Sequence, residues 1–286
     1  MGEQKQTALV TGASSGMGHE TAIRLAEKGF QVIVAARRMD RLNELADEHQ
    51  GIIIPKQVDL SKPEDTEAFC RYISDLPDPV TVLINNAGYS IRGGLEDVSM
   101  EAIKRLFEVN LFALIRITQA CLPGMRNLRK GTIINLSSIA GKFTFPGSGV
   151  YAATKYAVEG ITDALRIELA PFGIRVVAIR PGPIATEFNE VGNQLTGDLM
   201  ARTDPDYKPI YQTAGAATGN MFAGLSIPGP DLIANLILEA VLSDAPKAVY
   251  SAGPLSEDFL GNRANLDDEA FHRFMMEKFG LMGLRI

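Results

Sequence analysis

Tyr151-Ala152-Ala153-Thr154-Lys155 sets a phenol and an ammonium four residues apart, one helical turn, so both fall on one face of a helix. A tyrosine at its ordinary pKa of about 10 is a weak base at neutral pH, but a fixed cation beside it favours the phenolate and lowers that value. Tyr151 is therefore expected to exchange a proton with an alcohol or carbonyl oxygen. Alone, such a pair reads as an ordinary surface contact; its neighbours change the reading. Ser138 lies just past the apolar run Thr132–Leu136, where a crevice-facing hydroxyl belongs. Asn85-Asn86-Ala87-Gly88 ends another such run, and Glu108-Val109-Asn110 falls within a long helical pattern. Taken singly, Ser138 is a cap or turn hydroxyl and Asn110 a buried asparagine satisfying backbone groups.

A second constellation opens the chain. Thr11-Gly12-Ala13-Ser14-Ser15-Gly16-Met17-Gly18 follows the apolar run Ala8–Val10 and precedes a helix beginning near Met17. Gly12 permits a tight turn, Gly16 lets the backbone approach a pyrophosphate, Gly18 lets helix and strand pack closely, and the helix offers free N–H groups to phosphate. The spacing also fits G-x-S-x-G, which would make Ser14 a hydrolase nucleophile needing an acid and then a histidine later in the chain. Of the later histidines, His49 lies in the polar stretch Asp47–Gln50 and His272 in a tail helix, neither at a strand end. The phosphate cradle is the favoured reading, with a serine hydrolase as the distant alternative. The second strand ends Val34-Ala35-Ala36-Arg37-Arg38, without the carboxylate that holds a ribose 2′-hydroxyl and with two guanidiniums suited to a 2′-phosphate. NADP(H) is expected over NAD(H). The bland alternative is that Arg37 and Arg38 solvate the strand end and pair with acids such as Asp40.

The elements that must position these groups alternate. Strand-like runs at Ala8–Val10, Val32–Ala35, Ile52–Gln57, Val80–Ile84, Thr132–Leu136 and Arg175–Ile179 are separated by helical patterns beginning near Met17, Arg41, Pro63, Met100 and Val150. Repeated βαβ units predict an α/β fold, a Rossmann-type doubly wound parallel sheet of strand order 3-2-1-4-5-6, as a single domain with its ligand crevice at the carboxyl ends of the strands. Glu187–Pro230, rich in Gly and Pro and carrying Phe188, Tyr207, Tyr211 and Phe222, breaks the rhythm and is expected to be an irregular, mobile substrate lid. A last helix over roughly Asp267–Phe279 sets Phe271, Phe274, Met275, Phe279 and Met282 on one face, for packing onto the body or a partner subunit.

The 286 residues, 46% hydrophobic and 22% charged, can bury a large core, and a net charge of −6 argues against nucleic acid as a partner. Met1–Gln6 has no apolar signal core, and Gln6 stands where a myristoylation motif needs Ser or Thr. No apolar run reads as long enough to span a bilayer, so no membrane partner is expected. Cys70 and Cys121 lack metal or redox spacing and read as reduced, buried residues of a cytoplasmic protein. No metal-ligand cluster is apparent.

TGASSGMG, NNAG, NLSS, YAATK and RPGPIAT, in this order and spacing, resemble the short-chain dehydrogenase/reductase family over roughly residues 5–185. The likeness weakens beyond, where Ala185, Pro209–Tyr211 and Ala245–Tyr250 look most like hydroxysteroid and retinol dehydrogenase-like members. The resemblance implies Tyr151 as general acid/base and Lys155 as holder of the nicotinamide ribose. Ser138 would bind the carbonyl oxygen, and Asn110 would hold a water in a proton relay. It implies cofactor contacts from Gly12, Ser14, Ser15, Gly16, Met17 and Gly18, from Arg37 and Arg38, from Asp59 and Leu60 at the adenine, and from Asn86, Ala87 and Gly88. Pro181, Gly182, Ile184 and Thr186 would seat the nicotinamide. Asp59 could equally cap the helix leading in from Ser61. A small apolar alcohol or ketone is the implied substrate, and a homodimer or homotetramer pairing through the long helices the implied assembly. A non-catalytic NADP(H)-binding sensor is the alternative from another class.

Overall fold

A computed structural model describes residues 6–188 and 203–286. Seven parallel strands form one sheet in the order β3-β2-β1-β4-β5-β6-β7. They are β1 (Thr7–Thr11), β2 (Gln31–Ala36), β3 (Ile53–Gln57), β4 (Val80–Asn85), β5 (Gly131–Leu136), β6 (Ile174–Pro181) and β7 (Val249–Ala252). The helices are α1 (Gly16–Glu27), α2 (Met39–Glu48), α3 (Pro63–Ser74), α4 (Met100–Phe107), α5 (Ala113–Leu128), α6 (Gly149–Leu169), α7 (Lys208–Phe222), α8 (Asp231–Leu242), α9 (Ser256–Asn265) and α10 (Asp268–Lys278).

The predicted order of six strands holds, and β7 extends it by four residues beside β6. Successive strand side chains point to opposite faces, so a sheet covered on both sides needs apolar residues at consecutive positions. Ala8, Val10, Val32, Val34, Ile134 and Val177 enter the core on the α1, α2 and α8 face. Leu9, Ile33, Ile133 and Val176 enter the opposite core, with Ile117, Cys121 and Met125 of α5. Burial pushes the free Cys121 thiol up, and Cys70 is also free.

Met100–Leu128 runs as one helical rod of 29 residues, long and apolar enough by length and composition to cross a membrane, contrary to the sequence expectation. Its inner face, including Ala113, Ile117, Cys121 and Met125, packs on the sheet. A π-helical turn, Glu108–Phe112, interrupts it and carries the buried Asn110. Such widened turns re-aim side chains and are frequent at functional sites.

The irregular stretch predicted from Glu187 to Pro230 is corrected in part. A 3₁₀ turn, Pro205–Tyr207, leads into the 15-residue α7; residues 189–202 of the expected lid lie outside the described residues. Pro209 falls in the first helical turn, where its missing N–H has no partner to lose. Gly215 and Gly219 are borne inside the helix at about 1 kcal/mol each.

The tail packs on the body. Phe259 of α9 stacks on Phe143 with ring centroids 5.0 Å apart, and Phe271, Phe274 and Phe279 complete the cluster. Met282 is the exception, 54% exposed, because it lies beyond the last turn of α10 and the helical spacing no longer applies.

Candidate active site

Four candidate groups meet at the carboxyl ends of β4 and β5. Ser138 follows β5, caps a short 3₁₀ turn by accepting from the Ala140 N–H (3.1 Å), and its side chain favours the ionised form of Tyr151. The cap and this effect come from one hydroxyl. Burial pushes the Tyr151 phenol up to about 12, against the Ser138 hydrogen bond that lowers it. This reverses the sequence expectation of a lowered value. Lys155 Nζ lies 5.9 Å from the Tyr151 ring centre and donates to the Leu136 carbonyl at 2.7 Å. Burial draws Lys155 down to about 8, opposed by the charge of Glu159.

The Asn110 side chain makes three hydrogen bonds. Its Nδ2 donates to the Tyr89 carbonyl (2.9 Å) and Thr154 Oγ1 (3.1 Å), and its Oδ1 accepts from the Tyr89 N–H (3.1 Å). The side chain thereby ties the π turn to α6 and to the loop after β4. Gly88 completes this corner: a Cβ there would stand 3.2 Å from Asn110 Oδ1 and 3.6 Å from Lys155 Nζ.

The glycine loop fits a dinucleotide. Gly12 takes φ +68°, open to glycine at little cost, and a Cβ there would stand 2.8 Å from Ala87 Cα. A Cβ on Gly18 would stand 2.6 Å from the Gly12 carbonyl oxygen and would press on Asn86 Nδ2. Asn86 Nδ2 donates to the carbonyls of Thr11 (2.9 Å) and Gly12 (3.2 Å), and the N–H groups of Asn86 and Ala87 both donate to Thr11 Oγ1. Met17 packs against the core below. Helix α1 has no side-chain cap and no acidic residue in its first turn, leaving its positive end to an anion.

The two arginines divide. Arg38 reaches the loop, donating to Ser14 Oγ (3.1 and 3.2 Å) and Ser15 Oγ (2.8 Å). Arg37 is exposed and lies toward Asp59, whose charge it favours. Asp59 accepts from the Ser61 N–H (3.0 Å) and hydroxyl (2.8 Å). Burial raises its carboxyl, but the Ser61 bonds, Arg37 and Arg105 prevail and hold it below the usual carboxylate range. This is a local turn rather than the cap of α3, which begins after Lys62. Leu60 is buried beside it. Pro181 ends β6, Gly182 donates to the Ala252 carbonyl (2.7 Å), and Ile184 enters the core. Thr186 rests on the glycine loop, its Cγ2 being 3.1 Å from where a Gly16 Cβ would stand.

Several groups went unnoticed in the sequence. Glu159 lies one turn beyond Lys155, the same spacing that pairs Tyr151 with Lys155, and is buried. Arg180 binds it through two bonds, 2.9 and 2.6 Å, and Lys142 stands at 3.5 Å. Burial pushes the Glu159 carboxyl up, but Arg180 and Ser137 hydrogen bonds outweigh that and hold it low. Arg41, one helical turn after Arg38, shares with it the carboxylate of Glu187. His19, which also follows Ser14, turns its ring to Glu20 at 3.7 Å. Ser14 Oγ accepts from Arg38, and among the described residues no histidine bonds to it.

The surroundings of Tyr151 are aromatic. Phe188 meets its ring edge-on at 5.9 Å, and Tyr211 of α7 packs over Gly94 and Gly147. An apolar cavity of about 360 Å³ lies alongside, lined by Phe145, Pro146, Met275, Met276 and Phe279 among others; neither Ser138 nor Tyr151 lines it.

Comparison with known proteins agrees with this arrangement. Residues 6–195 match the short chain dehydrogenase family. Human retinol dehydrogenase 8 is 37% identical over 228 residues, covering 75% of this chain and 72% of its own length. A short-chain dehydrogenase from Streptomyces avermitilis superposes with a TM-score of 0.79 at 29% identity, covering 100% of both chains. One from Sphingobium yanoikuyae, solved in complex with NADPH, superposes at 0.71 with 27% identity, over 98% of this chain and 96% of that one. With its parallel sheet, its glycine loop and the Ser138–Tyr151–Lys155 group where the strands end, the chain belongs to the short-chain dehydrogenase/reductase family of oxidoreductases, as a retinol dehydrogenase-like member acting on CH–OH donors.

Proposed function

We propose that this protein is an NADP(H)-dependent oxidoreductase interconverting hydrophobic secondary alcohols and ketones. The observation that carries the cofactor preference is the bonding of Arg38 to both Ser14 and Ser15, a cationic fork with two hydroxyls beside the glycine loop. When bound, the nicotinamide supplies or accepts the hydride. Gly12, Gly16 and Gly18 admit the pyrophosphate, Arg38 and Arg41 hold the 2′-phosphate, Asp59 and Leu60 border the adenine, and Asn86, Ala87, Gly88, Pro181, Gly182, Ile184 and Thr186 line the rest of the crevice. Lys155 holds the nicotinamide ribose.

In the reducing direction Tyr151 Oη delivers its proton to the substrate oxygen as Ser138 Oγ donates a hydrogen bond to the same atom; in the oxidising direction the proton returns to Tyr151. Asn110 holds the π turn in place and orders a water behind Lys155. Phe188 and Tyr211 exclude water and favour an apolar substrate over a phosphorylated or charged one. Helix α7, which carries Tyr211, acts as a substrate lid. Exposed Phe112, in the π turn between α4 and α5, and exposed Tyr156 and Ile167, on α6, support a homodimer or homotetramer through these elements; light scattering of the purified protein reads the mass directly, and the cytoplasm is the proposed location.

Titration with NADPH and NADH tests the reading. The wild type is expected to bind NADPH at least about tenfold tighter, some 1.4 kcal/mol, with Arg38→Ala removing the difference. Equal affinities in the wild type refute the preference, and absence of binding to either refutes the cofactor.

A further inference from the structure

The groups assigned to the 2′-phosphate already hold an anion of the chain's own. Glu187 Oε2 accepts from Arg38 Nη1 at 2.7 Å and Oε1 accepts from Arg41 Nη1 at 2.6 Å, so each carboxylate oxygen takes one guanidinium. The remaining nitrogens of Arg38 face Ser14 and Ser15. Glu187 lies 149 residues along the chain from Arg38, and it arrives there because Thr186, its neighbour, rests against Gly16. Two cations one turn apart on the same helix start would repel; a shared carboxylate relieves that and fixes their forks toward the glycine loop.

Resting on the NADP(H) reading above, we infer that Glu187 is an internal surrogate for the cofactor's 2′-phosphate: it occupies Arg38 and Arg41 in the free protein, and NADP(H) binds by exchange with it. A phosphate monoester carries close to two negative charges and three acceptor oxygens, against one charge and two oxygens for Glu187, so it wins the arginines. A 2′-hydroxyl carries no charge and leaves Glu187 in place. The carboxylate thus lowers the affinity for the phosphorylated cofactor selectively and keeps it exchangeable. All three side chains are more than a third exposed, so the competition is screened and moderate. Arg41 and then Arg38 hold the Glu187 carboxyl down to about 2, so it competes as an anion throughout the working pH range.

The test is a set of equilibrium titrations of Glu187→Gln with NADPH, NADH, adenosine 2′,5′-bisphosphate and 5′-AMP, with folding checked by circular dichroism. NADPH and the bisphosphate are expected to bind threefold to tenfold tighter than to wild type, tenfold being about 1.4 kcal/mol. NADH and 5′-AMP are expected to change by less than about twofold, the level at which a screened surface charge acts. In an Arg38→Ala background the gain from Glu187→Gln should shrink severalfold. If wild type prefers NADPH through Arg38 but Glu187→Gln binds it equally or more weakly, the surrogate is refuted and the cofactor reading stands. A gain shared equally by NADH also refutes it, since that marks a general loosening of the crevice. If wild type shows no preference for NADPH, the cofactor reading itself fails and the surrogate with it.

Discussion

Lys155 sits in the core of the site with 4% exposure, and its burial has a consequence for stability that can be measured without substrate. Its folded pKa is drawn from 10.5 to about 8, desolvation outweighing the charge of Glu159. Below pH 8 both folded and unfolded chains carry the ammonium, and the folded one bears the full penalty of burying it. Above pH 8 the folded lysine sheds its proton while the unfolded one keeps it until about 10.5, so the unfolded state binds more protons and stability rises with pH. Lys155→Met removes this titration, and the partner lost by the Leu136 carbonyl is lost equally at every pH. The stability difference between wild type and variant should therefore move in favour of wild type by about 2 kcal/mol between pH 7 and pH 9.5. Urea denaturation of both proteins at the two pH values gives the four free energies required. A difference that stays constant refutes the lowered pKa. A movement in the opposite direction would mean that Glu159 holds the lysine more strongly than burial opposes it.

Tyr151→Phe should keep NADPH affinity within about twofold and reduce turnover by about 10²–10⁴, the range for a lost general acid; retained turnover in steady-state assays would point to a binding protein whose function needs no proton transfer. Glu159→Gln leaves Arg180 with a weakened partner in a largely buried position and should destabilise the fold by about 3 kcal/mol by denaturant melting. The same variant removes the charge that raises Lys155, so the lysine-dependent rise of stability should begin at lower pH. Gly18→Ala drives a Cβ to within 2.6 Å of the Gly12 carbonyl oxygen and into Asn86; it should lower the melting midpoint and weaken NADPH and NADH alike, since both share the pyrophosphate. Discrimination between the two cofactors should not change.

What the sequence determined by itself was whatever rests on local spacing. The six strands, their order, the placement of Gly12 and Ser138 just after strands, of Gly16 and Gly18 at the start of a helix, and of Tyr151 and Lys155 on one helical face follow from period-two and helical patterns and from short motifs. Glycine and proline content misread Lys208–Phe222 as irregular, because the first turn of a helix accepts Pro209 and a packed helix tolerates Gly215. Arg41 and Glu159 were accessible to the same one-turn rule that linked Tyr151 to Lys155, had it been carried one turn further. Other features belonged to the tertiary structure alone. Whether Arg37 or Arg38 faces the loop depends on how the chain leaves β2, and the pairing of Arg38 with Glu187 joins residues 149 apart. The π turn brings Asn110 against Tyr89 and Thr154. Above all, the sign of the Tyr151 shift was decided by burial. A sequence displays the cation that would lower a phenol's pKa, but only packing determines how much water is removed from that phenol, and here desolvation is the larger effect.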